Sequence, residues 1–308
     1  MRRIGIVLAF LAAVFLVGAL ASPLVFWSVQ AVTKLFPIFQ PLAANPFPRF
    51  VSRVLMIVAL AGLWPLHRAL GKPSWRELGL NFTGTGRRAL VIGFCSGLIA
   101  LSLLTLIALV VNAREWRTVG GEKLATTIIL SVLGAMFAAP LEEIIFRGVM
   151  FGCLRSRGHW LGALIVSSLV FAAVHFLQTP KDIGEVKWHS GFEVLAAMFT
   201  GGAAENRLPQ FVNLALCGAL LAWAYQRAGS LAFSIGLHAA WILGLKLINA
   251  FTLVTTANAF WGSRKMIDGW AATLLLILLA TALPWFTRHQ RDETIHVPAA
   301  SKATRLVG

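Results

Sequence analysis

Residues 140–152 read PLEEIIFRGVMFG, which places Glu142, Glu143 and Arg147 inside a run that is otherwise apolar. An ionisable side chain at the middle of a membrane costs at least ~2.5–3.5 kcal/mol. Three within six residues must therefore pair, neutralise or face a watery cavity. Glu143 and Arg147 stand four apart, so on a helix they meet as an ion pair, while Glu142 points ~100° away toward another helix. Pro140 removes one backbone N–H and leaves a carbonyl near residue 136 without its helical partner, which predicts a local break. Gly148 with Gly152, and Gly158 with Gly162, are GxxxG steps at which neighbouring helices can approach closely.

Two further apolar runs carry histidine. SSLVFAAVHFLQ sets Phe171 and His175 on one face, and SIGLHAAWILGLKLIN carries His238, then Trp241, Lys246 and Asn249. Across a turn near residue 157, Glu142 lies 157 − 142 = 15 residues before it and His175 lies 175 − 157 = 18 after it. The two therefore reach similar depth. His238, only 8 residues past Ser230, is expected to lie shallower unless its helix begins deep. A carboxylate with histidine suits general-base activation of water. Metal-assisted hydrolysis, with Glu142, His175 and His238 as three ligands, and a proton relay in a transporter are the other chemistries open to these residue types. A helix-packing ion pair with two hydrogen-bonded core histidines is the non-functional reading. No HExxH and no aspartate within an apolar run occur, which excludes zincin-type and paired-aspartate mechanisms, and the lack of a GxSxG turn around Ser168 argues against a serine mechanism.

The elements that must position these groups follow from composition. The chain has 308 residues, 58% hydrophobic and 13% charged, with a mean hydropathy of +0.77. A soluble domain carries about twice that charge, so the fold class is all-α, a polytopic transmembrane bundle. Apolar runs predict about eight spans, near 4–30, 51–70, 89–112, 124–153, 160–178, 210–228, 231–251 and 270–287, with a short interfacial or re-entrant segment at 193–204. The first run is read as an uncleaved helix despite its signal-like Arg2, Arg3 and Ala19-Leu20-Ala21. Residues 1–308 form a single integral membrane domain, with 288–308 as a cytoplasmic tail.

Lys and Arg exceed Asp and Glu by 15, and the excess sits in the loops holding Arg68, Lys72, Arg76, Arg87, Arg88, Arg155, Arg157 and Arg227 and in the tail. That bias places both termini on the cytoplasmic side of a bacterial inner membrane, and it reads as contact with the lipid bilayer, not with nucleic acid. The three cysteines, Cys95, Cys153 and Cys217, have no ligand or disulfide spacing and read as small buried hydrophobes.

The EExxxR of Glu142, Glu143 and Arg147, the FxxxH of Phe171 and His175, and the later His238 resemble the CAAX protease and bacteriocin-processing family (CPBP, Abi) of intramembrane endopeptidases. WRELGL at 75–80 is similar too, and the resemblance covers roughly residues 75–250. It implies a helical bundle with a conical cavity that admits a protein or peptide substrate. It also implies that Glu142 and His175 activate water, that Glu143 and Arg147 hold the geometry with Phe171, and that His238 faces the oxyanion. No cofactor is expected; zinc on Glu142, His175 and His238 is the disfavoured alternative. The sequence departs from the family's usual HxxxN, because Ile242 stands where the asparagine belongs. Trp241 or Asn213 would have to supply the missing donor. Non-catalytic scaffolds and immunity proteins of the same family keep a non-enzymatic role open.

Overall fold

The computed structural model describes residues 2–71, 74–80, 82, 84–155, 159–176, 184–200 and 207–288. Lys72, Arg157, Gly158 and the tail beyond Arg288 lie outside them, as do residues 179–183 and 201–206 of the 179–209 loop. The helices are α1 (Arg2–Leu35), α2 (Gln40–Ala43), α3 (Phe47–Ala69), α4 (Gly84–Val110), α5 (Gly121–Glu143), α6 (Gly152–Arg155), α7 (Trp160–Phe176), α8 (Ser190–Thr200), α9 (Arg207–Ala228), α10 (Ala232–Phe251) and α11 (Trp270–Phe286). A π-helical stretch, Ile144–Phe151, joins α5 to α6. Two three-residue strands, β1 (Arg114–Trp116) and β2 (Thr252–Val254), pair antiparallel beyond the ends of α4 and α10.

This is an all-α membrane bundle. Among the described residues six helices are long and apolar enough to span a bilayer, and α7 and α11, at 17 residues each, are shorter. The expected count of about eight is not confirmed by helix length among the described residues, since ~20 residues are needed for an untilted crossing. The segment expected at 193–204 is α8, which packs on α1 and α3 and buries Val194 and Met198 against Phe47 and Val51.

The core is built around α10. It packs on α4, α5 and α9, while α7 pairs with α9 and α11 closes on α9 and α4. The approach of α4 to α10 depends on Gly93 and Gly236, where a Cβ would run into the Phe233 and Leu90 carbonyls respectively. The first turns of α10 are wholly enclosed: Leu231 and Ala232 have no exposed surface. They are covered by the loop Ser74–Leu80, whose Gly79 adopts a left-handed φ of +83°. Its carbonyl accepts a hydrogen bond from the Leu231 N–H at 2.7 Å. That positive φ is open to glycine and strained for other residues.

At the far end Arg114 is pinned by Thr252 Oγ1 at 2.7 Å and the carbonyls of Ser263 and Arg264. Burial lowers the pKa of its guanidinium from the ordinary value, and Asp268 opposes that shift.

Pro140 does not break α5, which continues to Glu143. The irregularity falls instead on the residues after the glutamates, where the backbone widens into i→i+5 pairing. Such stretches are rare and recur at functional sites. The Gly148–Gly152 step is not a close helix crossing along its length: Gly148 lies under the Leu78 carbonyl of the covering loop and beside the Leu231 side chain at the start of α10, and Gly152 has only its own helix backbone nearby.

Candidate functional site

Glu142 and Glu143 end α5, so one carboxylate faces α7 and the other faces α10. Glu142 Oε2 stands 2.9 Å from His175 Nε2. His175 Nδ1 is 2.8 Å from the Phe171 carbonyl. A carbonyl only accepts, so Nδ1 carries hydrogen. Nε2 and the carboxyl group must then share one proton between them, because two lone pairs would repel at that distance. The two side chains keep about a quarter of their surface, 26% for Glu142 and 27% for His175. No hydrogen bond to Glu142 Oε1 is found among the described residues, and these two side chains are the most exposed of the cluster.

Behind them the groups are sealed. Glu143 has no exposed surface, and its Oε1 accepts from Arg147 Nη1 at 2.8 Å and from His238 Nδ1 at 2.9 Å. His238 Nε2 lies 3.6 Å from Glu142 Oε2, so one imidazole spans both carboxylates. Arg147, 1% exposed, donates its Nη2 to the Gly218 carbonyl at 3.3 Å. Its guanidinium lies 4.3 Å from the centre of the Phe171 ring, which in turn stacks 3.9 Å from the His175 ring. Phe146 meets Phe171 edge-on at 5.2 Å. Phe171 thus fills the space between the buried cation and the partly buried imidazole. Glu143 Oε2 is buried with no hydrogen-bond partner among the described residues, a standing desolvation cost in the structure.

Glu142, Glu143, Arg147, Phe171, His175 and His238 therefore come together. His238 does not lie shallow, as counting from Ser230 suggested, because α10 starts beneath the covering loop instead of at the surface. The two candidate donors are placed otherwise. Asn213 has no exposed surface, and its amide is spent on the Ile267 and Gly269 carbonyls at 2.8 and 2.9 Å. Its Oδ1 accepts from Thr273. It ties α9 to the start of α11, and both amide hydrogens are engaged there. Trp241 stands toward α4 and α11, lining with Leu101, Cys217 and Leu275 an apolar cavity of about 50 Å³. Asn249 Oδ1 is buried without a partner among the described residues.

Gly218 is the residue the sequence reading missed. A Cβ there would stand 2.9 Å from the Ser168 backbone, so only glycine lets α9 approach α7 closely enough for its carbonyl to reach Arg147. Small residues at helix contacts are the available signal, but they do not say which carbonyl is used.

His175 Nε2 and His238 Nε2 lie 2.9 and 3.6 Å from Glu142 Oε2. Among the described residues no group of three His, Cys, Asp or Glu is arranged to hold a metal ion. Cys217 is a buried free thiol beside the site.

Comparison with known proteins gives a match to the expected family over part of the chain. Residues 124–244 match the family described as Rce1-like, the type II CAAX prenyl endopeptidases. That segment holds every charged and histidine residue of the cluster. An "Uncharacterized 24.3 kDa protein" of Escherichia coli is 47% identical over 58 residues, 18% of this chain. The chain spans about a quarter, 26%, of that relative's length. No solved structure matches the chain.

Proposed function

We propose that this integral membrane protein is an endopeptidase that hydrolyses a peptide bond of a protein or peptide substrate at the membrane, with Glu142 as the base that takes a proton from water. The 2.9 Å contact between Glu142 Oε2 and His175 Nε2, on a side chain that keeps about a quarter of its surface exposed, is the observation that carries this reading. His175, fixed in one orientation by the Phe171 carbonyl and ring, holds the carboxylate and shares its proton. Glu143, clamped by Arg147, keeps His238 turned so that Nε2 lies over the same oxygen. With both nitrogens protonated, His238 presents an Nε2–H donor to charge developing on the substrate carbonyl. We take the reaction to proceed without metal. The setting we propose is the bacterial inner membrane with both termini cytoplasmic, from the Lys and Arg bias of the loops.

Glu142→Gln tests the assignment, because it preserves shape and loses the base. Wild type and variant in proteoliposomes are offered a peptide library, and new N-termini are read by mass spectrometry. Turnover is expected to fall by ~10²–10⁴ with unchanged melting temperature, and His175→Ala is expected to add little to it. Equal cleavage by Glu142→Gln refutes the role.

A second reading has one observation of its own. With Ile242 in place of asparagine and Asn213 spent elsewhere, His238 is left as the oxyanion donor of the cluster, and loss of one such donor costs ~10²–10³ in rate. A non-catalytic scaffold or immunity protein predicts that Glu142→Gln complements a deletion strain fully at equal protein level. A protease predicts that it does not.

A further inference from the structure

A second cavity lies outside the glutamate–histidine cluster. Its volume is about 230 Å³, and its walls include Leu60, Leu63 and Trp64 of α3, Leu78 of the covering loop, and Ile144 and Val149 of the π-helical stretch. It sits where the α1–α3–α8 group meets the core, at the basic end of the α3 span. At about 30 Å³ for a water-sized group, it holds about eight groups of an extended apolar chain.

Its rim fixes its depth in the bilayer. Trp64 is 66% exposed and Trp75 is 61% exposed, the placement of indoles at the level of lipid headgroups. The Arg68 guanidinium lies 5.8 Å from the Trp64 ring, and His67 stacks on Trp75 at 5.3 Å with the planes 17° apart. Arg76 is exposed in the same loop. The acid beside it, Glu77, accepts from Ser74 Oγ at 3.1 Å. Apolar walls below a cationic rim match an amphiphile whose polar end is anionic.

We propose that this cavity holds one acyl chain of an anionic phospholipid, with the phosphate against Arg68. The chain would pack on Ile144, the residue next to Glu143, and on Leu78, whose carbonyl covers Gly148. Lipid would therefore brace the covering loop against the helix that carries the glutamates. The inference stands on the cavity and its rim and does not depend on hydrolysis.

Purified full-length protein in neutral detergent, melted with added phosphatidylglycerol or phosphatidylcholine, tests it, with native mass spectrometry counting bound lipid. One phosphatidylglycerol per chain is expected to survive delipidation. At a hundredfold excess over Kd it should raise the melting temperature by about 5 °C. Arg68→Gln should weaken phosphatidylglycerol at least tenfold, and Leu63→Phe, which fills the cavity, should abolish retention. Equal effects of the two lipids, or wild-type retention in both variants, overturn the proposal. So does a Leu63→Phe variant that binds lipid normally while losing peptide binding, which would assign the cavity to substrate.

Discussion

Replacing Arg147 with leucine removes three contacts at once: the 2.8 Å bond to Glu143, the 3.3 Å bond to the Gly218 carbonyl and the face of Phe171 at 4.3 Å. Glu143 stays behind with no exposed surface, with His238 as its remaining partner and with one oxygen already unpartnered among the described residues. Breaking a buried ion pair from one side costs ~3–5 kcal/mol, mostly as the penalty of the charge left behind. At ~2 °C per kcal/mol for a chain of this length, Arg147→Leu should lower the melting temperature in detergent by ~6–10 °C. Arg147→Lys should fall between, because one ammonium does not reproduce the fork that serves both Glu143 and Gly218. The decisive variant is Glu143→Met with Arg147→Met. Removing both charges leaves apolar groups of similar length, so the pair should recover more than half of the single-variant loss. A single variant that melts like wild type, or a double variant that melts lower than Arg147→Leu, refutes the claim that desolvation of Glu143 dominates this cluster.

Gly236→Ala drives a methyl into the Leu90 carbonyl and should cost ~1–3 kcal/mol, whereas Gly5→Ala, which meets nothing within 4 Å, should melt like wild type; equal melting of the two would contradict the close α4–α10 approach. Asn213→Leu orphans the Ile267 and Gly269 carbonyls and should lose ~1–3 kcal/mol, while turnover measured well below the melting temperature is unchanged; a fall in kcat there would restore Asn213 as an oxyanion donor. Elemental analysis of purified protein should find no stoichiometric zinc, and chelators should leave turnover intact; one zinc per chain, lost together with activity in His175→Ala, would reverse the metal-independent assignment.

The sequence by itself determined the fold class and the membership of the cluster. A chain so poor in charge has to place its apolar runs in lipid as helices, since no other open structure satisfies its backbone there. Glutamate, arginine and histidine inside such runs stand out because burying them is costly. The four-residue spacings of Glu143 with Arg147 and of Phe171 with His175 put those pairs in contact, and antiparallel counting gave Glu142 and His175 a common depth. The tertiary structure decided the rest. Where α10 begins depends on a loop more than 150 residues earlier in the chain, closed by the Gly79 carbonyl on Leu231, and counting along one helix cannot sense that. The widened backbone after Glu143 left no mark in the residue types, and Pro140 pointed to the wrong turn. Asn213 looked available because a side chain's identity gives its hydrogen-bonding capacity and not who uses it. Gly218 was invisible because what it contributes is a backbone carbonyl, which every residue has and only the approach of two helices brings within reach of Arg147.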